Sequence, residues 1–80
     1  MASIQERVVN IIADQLGVNK ESVTEKTDIA NDLGADSLDI AELMIAFEDE
    51  FDIDIVEEDA QNITTVGQVV DHITKAVEAK

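Results

Sequence analysis

The stretch Asp36-Ser37-Leu38-Asp39-Ile40-Ala41-Glu42-Leu43-Met44-Ile45-Ala46-Phe47-Glu48-Asp49-Glu50-Phe51 decides the fold. With Ser37 at zero and about 100° per residue, Ile40, Leu43, Met44, Phe47 and Phe51 share one sector, about 240° to 340°. That is the buried face of an amphipathic helix. The helix is expected to start at Asp36 or Ser37 and to end near Phe51. Leu38, Ala41 and Ile45 fall at about 40° to 100° and form a second, narrower apolar stripe. Glu42, Glu48 and Asp49 flank it. A helix in a small bundle needs one buried stripe, so the second admits two readings. Either another segment covers it, or it is an exposed docking strip that attracts a basic partner through its acids and holds it by burial.

Working outward, helical spacing recurs on both sides. Ser3-Ile4-Gln5-Glu6 fits a capping box, and Ile4, Val8, Ile11, Ile12 and Leu16 follow at helical spacing. Gly17 then suits the left-handed residue that ends a helix, so the first helix is expected over about Ser3 to Leu16. Thr65-Val66-Gly67-Gln68 is a second capping box, ahead of a one-sided stripe of Val66, Val69, Val70, Ile73 and Val77. Glu57 to Asn62 is expected as a short helix and Asp52 to Val56 as a loop. The reading is all-α: a small bundle of three main helices and one short one, in a single domain over residues 1–80. The connection from Gly17 to Ala35 is long for a compact domain. It is expected to lie over the bundle with Ile29 and Leu33 buried and a short turn at Lys20 to Val23.

Composition narrows the function. The 80 residues carry 19 acids against 5 bases, a net charge of -14. From Thr27 to Thr74 there are fourteen acids and no Lys or Arg, so nucleic acid and anionic membranes are repelled and basic protein surfaces or cations are attracted. With no cysteine and no proline, the chain has neither disulfide nor thiolate ligand, and helices are favoured over loop-rich folds. A hydrophobic content of 45% exceeds that of a disordered acidic tail. No apolar run reaches the roughly 20 residues that span a bilayer, and the N-terminus does not read as a signal peptide. A domain this small has little room for a catalytic cleft beside its core. Asp52-Ile53-Asp54 and Glu57-Glu58-Asp59 suggest divalent cations, but lack the glycine and ligand spacing of an EF-hand. Weak, diffuse binding and no specific metal site are expected.

Ser37 opens the central helix. Its ordinary role is an N-cap. It makes a poor enzymatic nucleophile: the one histidine, His72, lies on the final helix, and Asp36 and Asp39 oppose ionisation. It can also be a hydroxyl that another enzyme modifies, since a helix N-terminus stabilises a phosphate ester.

The run Leu33-Gly34-Ala35-Asp36-Ser37-Leu38-Asp39 resembles the phosphopantetheine attachment site of the acyl carrier protein family, specifically its type II fatty acid synthesis members. The likeness extends through Glu6-Arg7-Val8, Gln15-Leu16-Gly17-Val18, Glu48-Asp49-Glu50-Phe51 and Ile63-Thr64-Thr65-Val66. It implies a non-catalytic, monomeric, cytoplasmic carrier. Ser37 would bear a 4′-phosphopantetheine, installed from coenzyme A by a separate transferase, whose thiol carries acyl chains to fatty acid synthesis enzymes. It implies a partner surface of Asp36, Leu38, Asp39, Ala41, Glu42, Ile45, Glu48 and Asp49, extended by Ile55 and Val56. By position, Ile29, Phe47, Ala60 and Ile63 would line an acyl cavity. Ala41 stands where the family commonly has valine, Val56 where proline is frequent and Phe47 where leucine is frequent. These imply a smaller strip, a looser loop and a narrower cavity. Carriage in a polyketide or other specialised pathway, an interaction module with Ser37 unmodified, and an acidic cation-binding protein are the alternatives.

Overall fold

The computed structural model describes residues 3–56 and 62–79. Three α-helices build it: α1 (Ile4–Leu16), α2 (Ser37–Phe51) and α3 (Val66–Glu78), with a 3₁₀ turn at Lys20–Ser22. The expected short helix over Glu57 to Asn62 lies outside the described residues except for Asn62, which is helical. The rest of the expected bundle is present.

Each helix starts where its side chains can satisfy the first amides, which have no partner inside the helix. Ser3 Oγ accepts from the Glu6 N–H at 3.1 Å. Thr65 Oγ1 accepts from the Gln68 N–H at 3.3 Å, and Gln68 Oε1 accepts from the Thr65 and Thr64 N–H groups at 3.0 and 2.6 Å. α1 ends at Gly17 with φ 65°, and the Val18 N–H returns to the Ala13 carbonyl at 3.1 Å, a Schellman motif. α2 ends in the same way on Asp52, with φ 53° and the Ile53 N–H donating to the Glu48 carbonyl at 3.2 Å.

The core is assembled from one face of each helix. Val8 and Ile12 of α1, Leu43, Met44, Phe47 and Phe51 of α2, and Val66, Val69 and Ile73 of α3 are buried together. Val23, Ile29 and Ala35 of the connection and Ile53 of the following loop join them. Leu33, expected buried, is half-buried and packs against this cluster from its edge.

The long connection is pinned rather than merely draped. Asp28 and Thr65 form an isolated antiparallel bridge. The Ile29 N–H donates to the Thr64 carbonyl at 3.0 Å, and the Val66 and Gly67 N–H groups donate to the carbonyls of Thr27 and Glu25 at 3.0 and 2.8 Å. The first two amides of α3 are thus satisfied by the connection. Thr27 is buried and holds the local turn: its Oγ1 accepts from the Thr24 N–H at 2.9 Å and donates to the Ser22 carbonyl at 3.4 Å.

Candidate functional site

The start of α2 is built by its neighbours. Gly34 has φ 70°, and an added Cβ would meet nothing within 4 Å, so the glycine serves backbone conformation and not space. The Ala35 N–H then donates to the Ile29 carbonyl at 3.3 Å, tying the helix entry to the connection. Asp36 is the N-cap, with Oδ1 accepting from the Asp39 N–H at 2.9 Å while Asp39 Oδ2 accepts from the Asp36 N–H at 3.2 Å. This corrects the capping role read for Ser37. A capping box needs a partner acid or amide three residues on. Asp36 has Asp39 there, whereas Ser37 has Ile40.

Ser37 is therefore the first residue of the helix, exposed, with its hydroxyl released from capping. The amides of Ser37 and Leu38 have no acceptor among the described residues. An ester phosphate on Ser37 fits this place. It has open space, two amides within the first turn and the positive end of a 15-residue helix. The carboxylates of Asp36 and Asp39 oppose an anion, so a group here is retained by its covalent bond.

Along α2 from Ser37, Leu38 is 66% exposed and Ile45 58%, with Ala41 also exposed. The connection does not cover this stripe, which corrects the first of its two readings. Glu42 and Asp49 are exposed beside it, and Asp36 and Asp39 stand at its N-terminal end, Asp39 half-buried. Glu48 differs from the other acids. It is half-buried, and its Oε2 accepts from the Ile55 N–H at 2.9 Å, so it organises the loop after α2. Ile55 is half-buried and packs against the core, whereas Val56 is 57% exposed.

A cavity of about 220 Å³ is lined by Ile29 and Ala30 of the connection, Ile40 and Met44 of α2, and Ile63 and Thr64 before α3. Ile29 and Ile63 were expected there. Phe47 is not among the lining residues: it is fully buried in the closed core. Ala60 lies outside the described residues. Ile40 and Met44 were read only as core positions, yet their spacing of three and seven from Ser37 puts all three on one side of the helix. That spacing was the available signal. Ala30 and Thr64 had none, since the Asp28–Thr65 bridge brings together positions 37 apart in the chain.

Among the described residues, no group of three or more His, Cys, Asp or Glu is arranged to hold a metal ion and no helix is long and apolar enough to cross a membrane. His72 is half-buried on α3.

The comparisons with known proteins bear on this arrangement directly. The family model described as the phosphopantetheine attachment site matches residues 6–73. The acyl carrier protein of Syntrophobacter fumaroxidans is 48% identical over 75 residues, which cover 94% of this chain and 93% of that protein. This chain belongs to the acyl carrier protein family. Solved structures agree. A Mycobacterium tuberculosis protein assigned as an acyl carrier protein superposes with TM-score 0.86 at 37% identity, covering 91% of this chain and 97% of its own. The acyl carrier protein of Enterococcus faecalis gives TM-score 0.79 at 37% identity, covering 91% of this chain and 92% of its own. As an acyl carrier protein the chain is a non-catalytic carrier, and its prosthetic group is phosphopantetheine, through which the family carries acyl chains.

Proposed function

We propose that Ser37 is the residue that bears the 4′-phosphopantetheine, and that the chain is a single carrier domain over residues 1–80 which presents acyl groups to the enzymes of fatty acid biosynthesis as a cytoplasmic monomer. The observation that carries this reading is the exposed, cap-free hydroxyl at the first position of α2, beside two unpaired amides and within the run shared with the family. When bound, the group supplies a terminal thiol that holds acyl chains as thioesters, a function this cysteine-free chain lacks.

The residues around Ser37 divide the remaining work. Asp36 and Asp39 fix the helix start, so the hydroxyl faces outward at a defined place. Leu38, Ala41, Ile45 and Val56 form the apolar contact surface, and Asp36, Asp39, Glu42 and Asp49 steer the basic surfaces of the transferase and synthesis enzymes toward it. Glu48 and Ile55 support that surface from behind. Ile40 and Met44 lead from Ser37 over about 10 Å of helix to the cavity, whose apolar walls suit an acyl chain.

The test is intact mass after incubation with coenzyme A and a phosphopantetheinyl transferase. The wild-type chain gains one phosphopantetheinyl group and Ser37→Ala gains none. A gain that persists in Ser37→Ala, or none in the wild type, overturns the reading. Elongation of the loaded chain by purified fatty acid synthesis enzymes tests the pathway, and failure there with successful loading points to a specialised one.

A further inference from the structure

Among the described residues three walls line the cavity, and two of them are joined to each other by backbone hydrogen bonds. Ile29 and Ala30 form one wall, Ile63 and Thr64 the second, and Ile40 and Met44 the third. The Ile29 N–H donates to the Thr64 carbonyl at 3.0 Å, and the next residues continue the join through the Asp28–Thr65 bridge and the Val66 and Gly67 amides. The last bond is the shortest: Gly67 N–H to the Glu25 carbonyl at 2.8 Å. A Cβ built on Gly67 would stand 3.0 Å from that same carbonyl oxygen and 3.5 Å from Glu25 Cβ.

We infer that this clasp sets the width of the cavity, and that Gly67 is a specificity-determining residue for acyl chain length because a side chain there would crowd the Glu25 carbonyl where the connection closes against the N-terminus of α3. The inference rests on the reading of the cavity as the acyl site. Gly67 is the second residue of α3 and carries no positive φ. Alanine there is favoured by helix propensity. A glycine kept at such a place serves the close approach and not the helix. Glu25 and Thr27 lie in the turn held by the Thr27 hydroxyl, so the carbonyl opposite Gly67 is fixed and cannot retreat by rotating a side chain. A methyl at position 67 has to displace backbone. The displaced segment is the one that leads into Ile29 and Ala30. The wall therefore moves outward, and the cavity widens at the end away from α2.

The experiment compares wild type, Gly67→Ala, Thr27→Val and Gly17→Ala. Thr27→Val loosens the same clasp from the other side, by removing the hydroxyl that holds the turn. Gly17→Ala strains a left-handed residue whose added Cβ would meet no neighbour within 4 Å and controls for lost stability. Amide hydrogen exchange is read first on the unloaded proteins. The amides of Ile29, Val66 and Gly67 are expected to exchange roughly tenfold faster in Gly67→Ala and Thr27→Val, with those of the α2 core unchanged. The proteins are then loaded with acyl groups of increasing length, with loading confirmed by intact mass. Burial of the chain is followed through the methyl NMR shifts of Ile29 and Ile63. In Gly67→Ala and Thr27→Val the longest chain that still perturbs both methyls is expected to exceed that of wild type, and in Gly17→Ala to equal it. Failure to load would reject the Ser37 reading while leaving the exchange result standing. Loading with an unchanged length limit, or clasp amides no faster than in wild type, overturns the role given to Gly67. If Gly67→Ala fails to fold, Thr27→Val carries the same test.

Discussion

At the scale of single residues, Arg7 does more than its place on α1 suggests. Its Nε donates to Glu50 Oε2 at 2.9 Å and its second amino nitrogen donates to the Glu50 carbonyl at 3.0 Å. Its guanidinium carbon also sits 4.4 Å from the centre of the Phe51 ring. The last turn of α2 contains no base and is crowded by Glu48, Asp49 and Glu50, which oppose the negative end of the helix dipole. Arg7 supplies from α1 the cation that α2 lacks. Its side chain is 38% exposed and that of Glu50 43%, so screening reduces the ion-pair component. The hydrogen bond to a helix-end carbonyl and the ring contact survive screening better. Arg7→Ala is expected to cost about 1–2 kcal/mol of stability, and Arg7→Lys to recover only part of it because an ammonium cannot make the forked contact. Urea denaturation of the two variants checks this, and equal midpoints for Lys and Arg would show that only charge matters. The sequence carried no local sign of this role, because the partners lie 43 residues away. It did carry the sign for the true cap of α2. Asp36 and Asp39 stand three apart, whereas Ser37 is followed at that distance by Ile40. The proposed attachment residue was legible from the run around it. What was not legible is that the adjacent aspartates relieve it of capping duty.

At the scale of elements, α2 carries the argument because two of its faces are apolar and only one is buried. Leu43 is fully buried and Ile45, two residues on, is 58% exposed. Hydrophobicity alone does not separate them; the angle around the helix does. Leu43→Ala is therefore expected to cost about 2–5 kcal/mol, by lost burial and the cavity left behind. Ile45→Glu is expected to change stability by less than about 0.5 kcal/mol while weakening transfer from partner enzymes. Thermal melts followed by circular dichroism, paired with rates of phosphopantetheinyl loading, separate the two effects. A large fall in helicity in Ile45→Glu would mean that this face is structural after all. The helices and their ends were readable from spacing and capping residues because those are local signals. The connection was readable only in outline. Its burial of Ile29 followed from hydrophobicity, but its anchorage on the first amides of α3 depends on bonds between residues 39 and 42 positions apart, which no periodicity records. The half-burial of Leu33, the burial of Ile53 and the use of Glu48 as a loop anchor follow from the same tertiary choices.

At the scale of the whole molecule, charge is the dominant unbalanced quantity. Two ion pairs form among the described residues, Arg7–Glu50 and Lys75–Asp71, the latter on an exposed helix face, against a net charge of -14. The molecule measures 31 × 30 × 19 Å. At about 10 mM salt the screening length is about 30 Å, so nearly every acid repels every other; at about 0.15 M it is about 8 Å, and only neighbours do. Unfolding lets the acids move apart, so the repulsion destabilises the compact state, and more strongly at low salt. The melting temperature is therefore expected to rise steeply between about 10 mM and 0.15 M sodium chloride and then to flatten, because the pairs that remain lie closer than the screening length. Magnesium chloride at equal ionic strength discriminates further. If screening is the whole cause, the two salts follow one curve. A higher melting temperature in magnesium means that ions gather on the acidic stretch between Thr27 and Thr74, where fourteen acids face no base. A melt insensitive to both salts would show that the acids are already far enough apart. The acidity would then have to be explained by partner attraction alone, and loading by the transferase should still fall as salt rises.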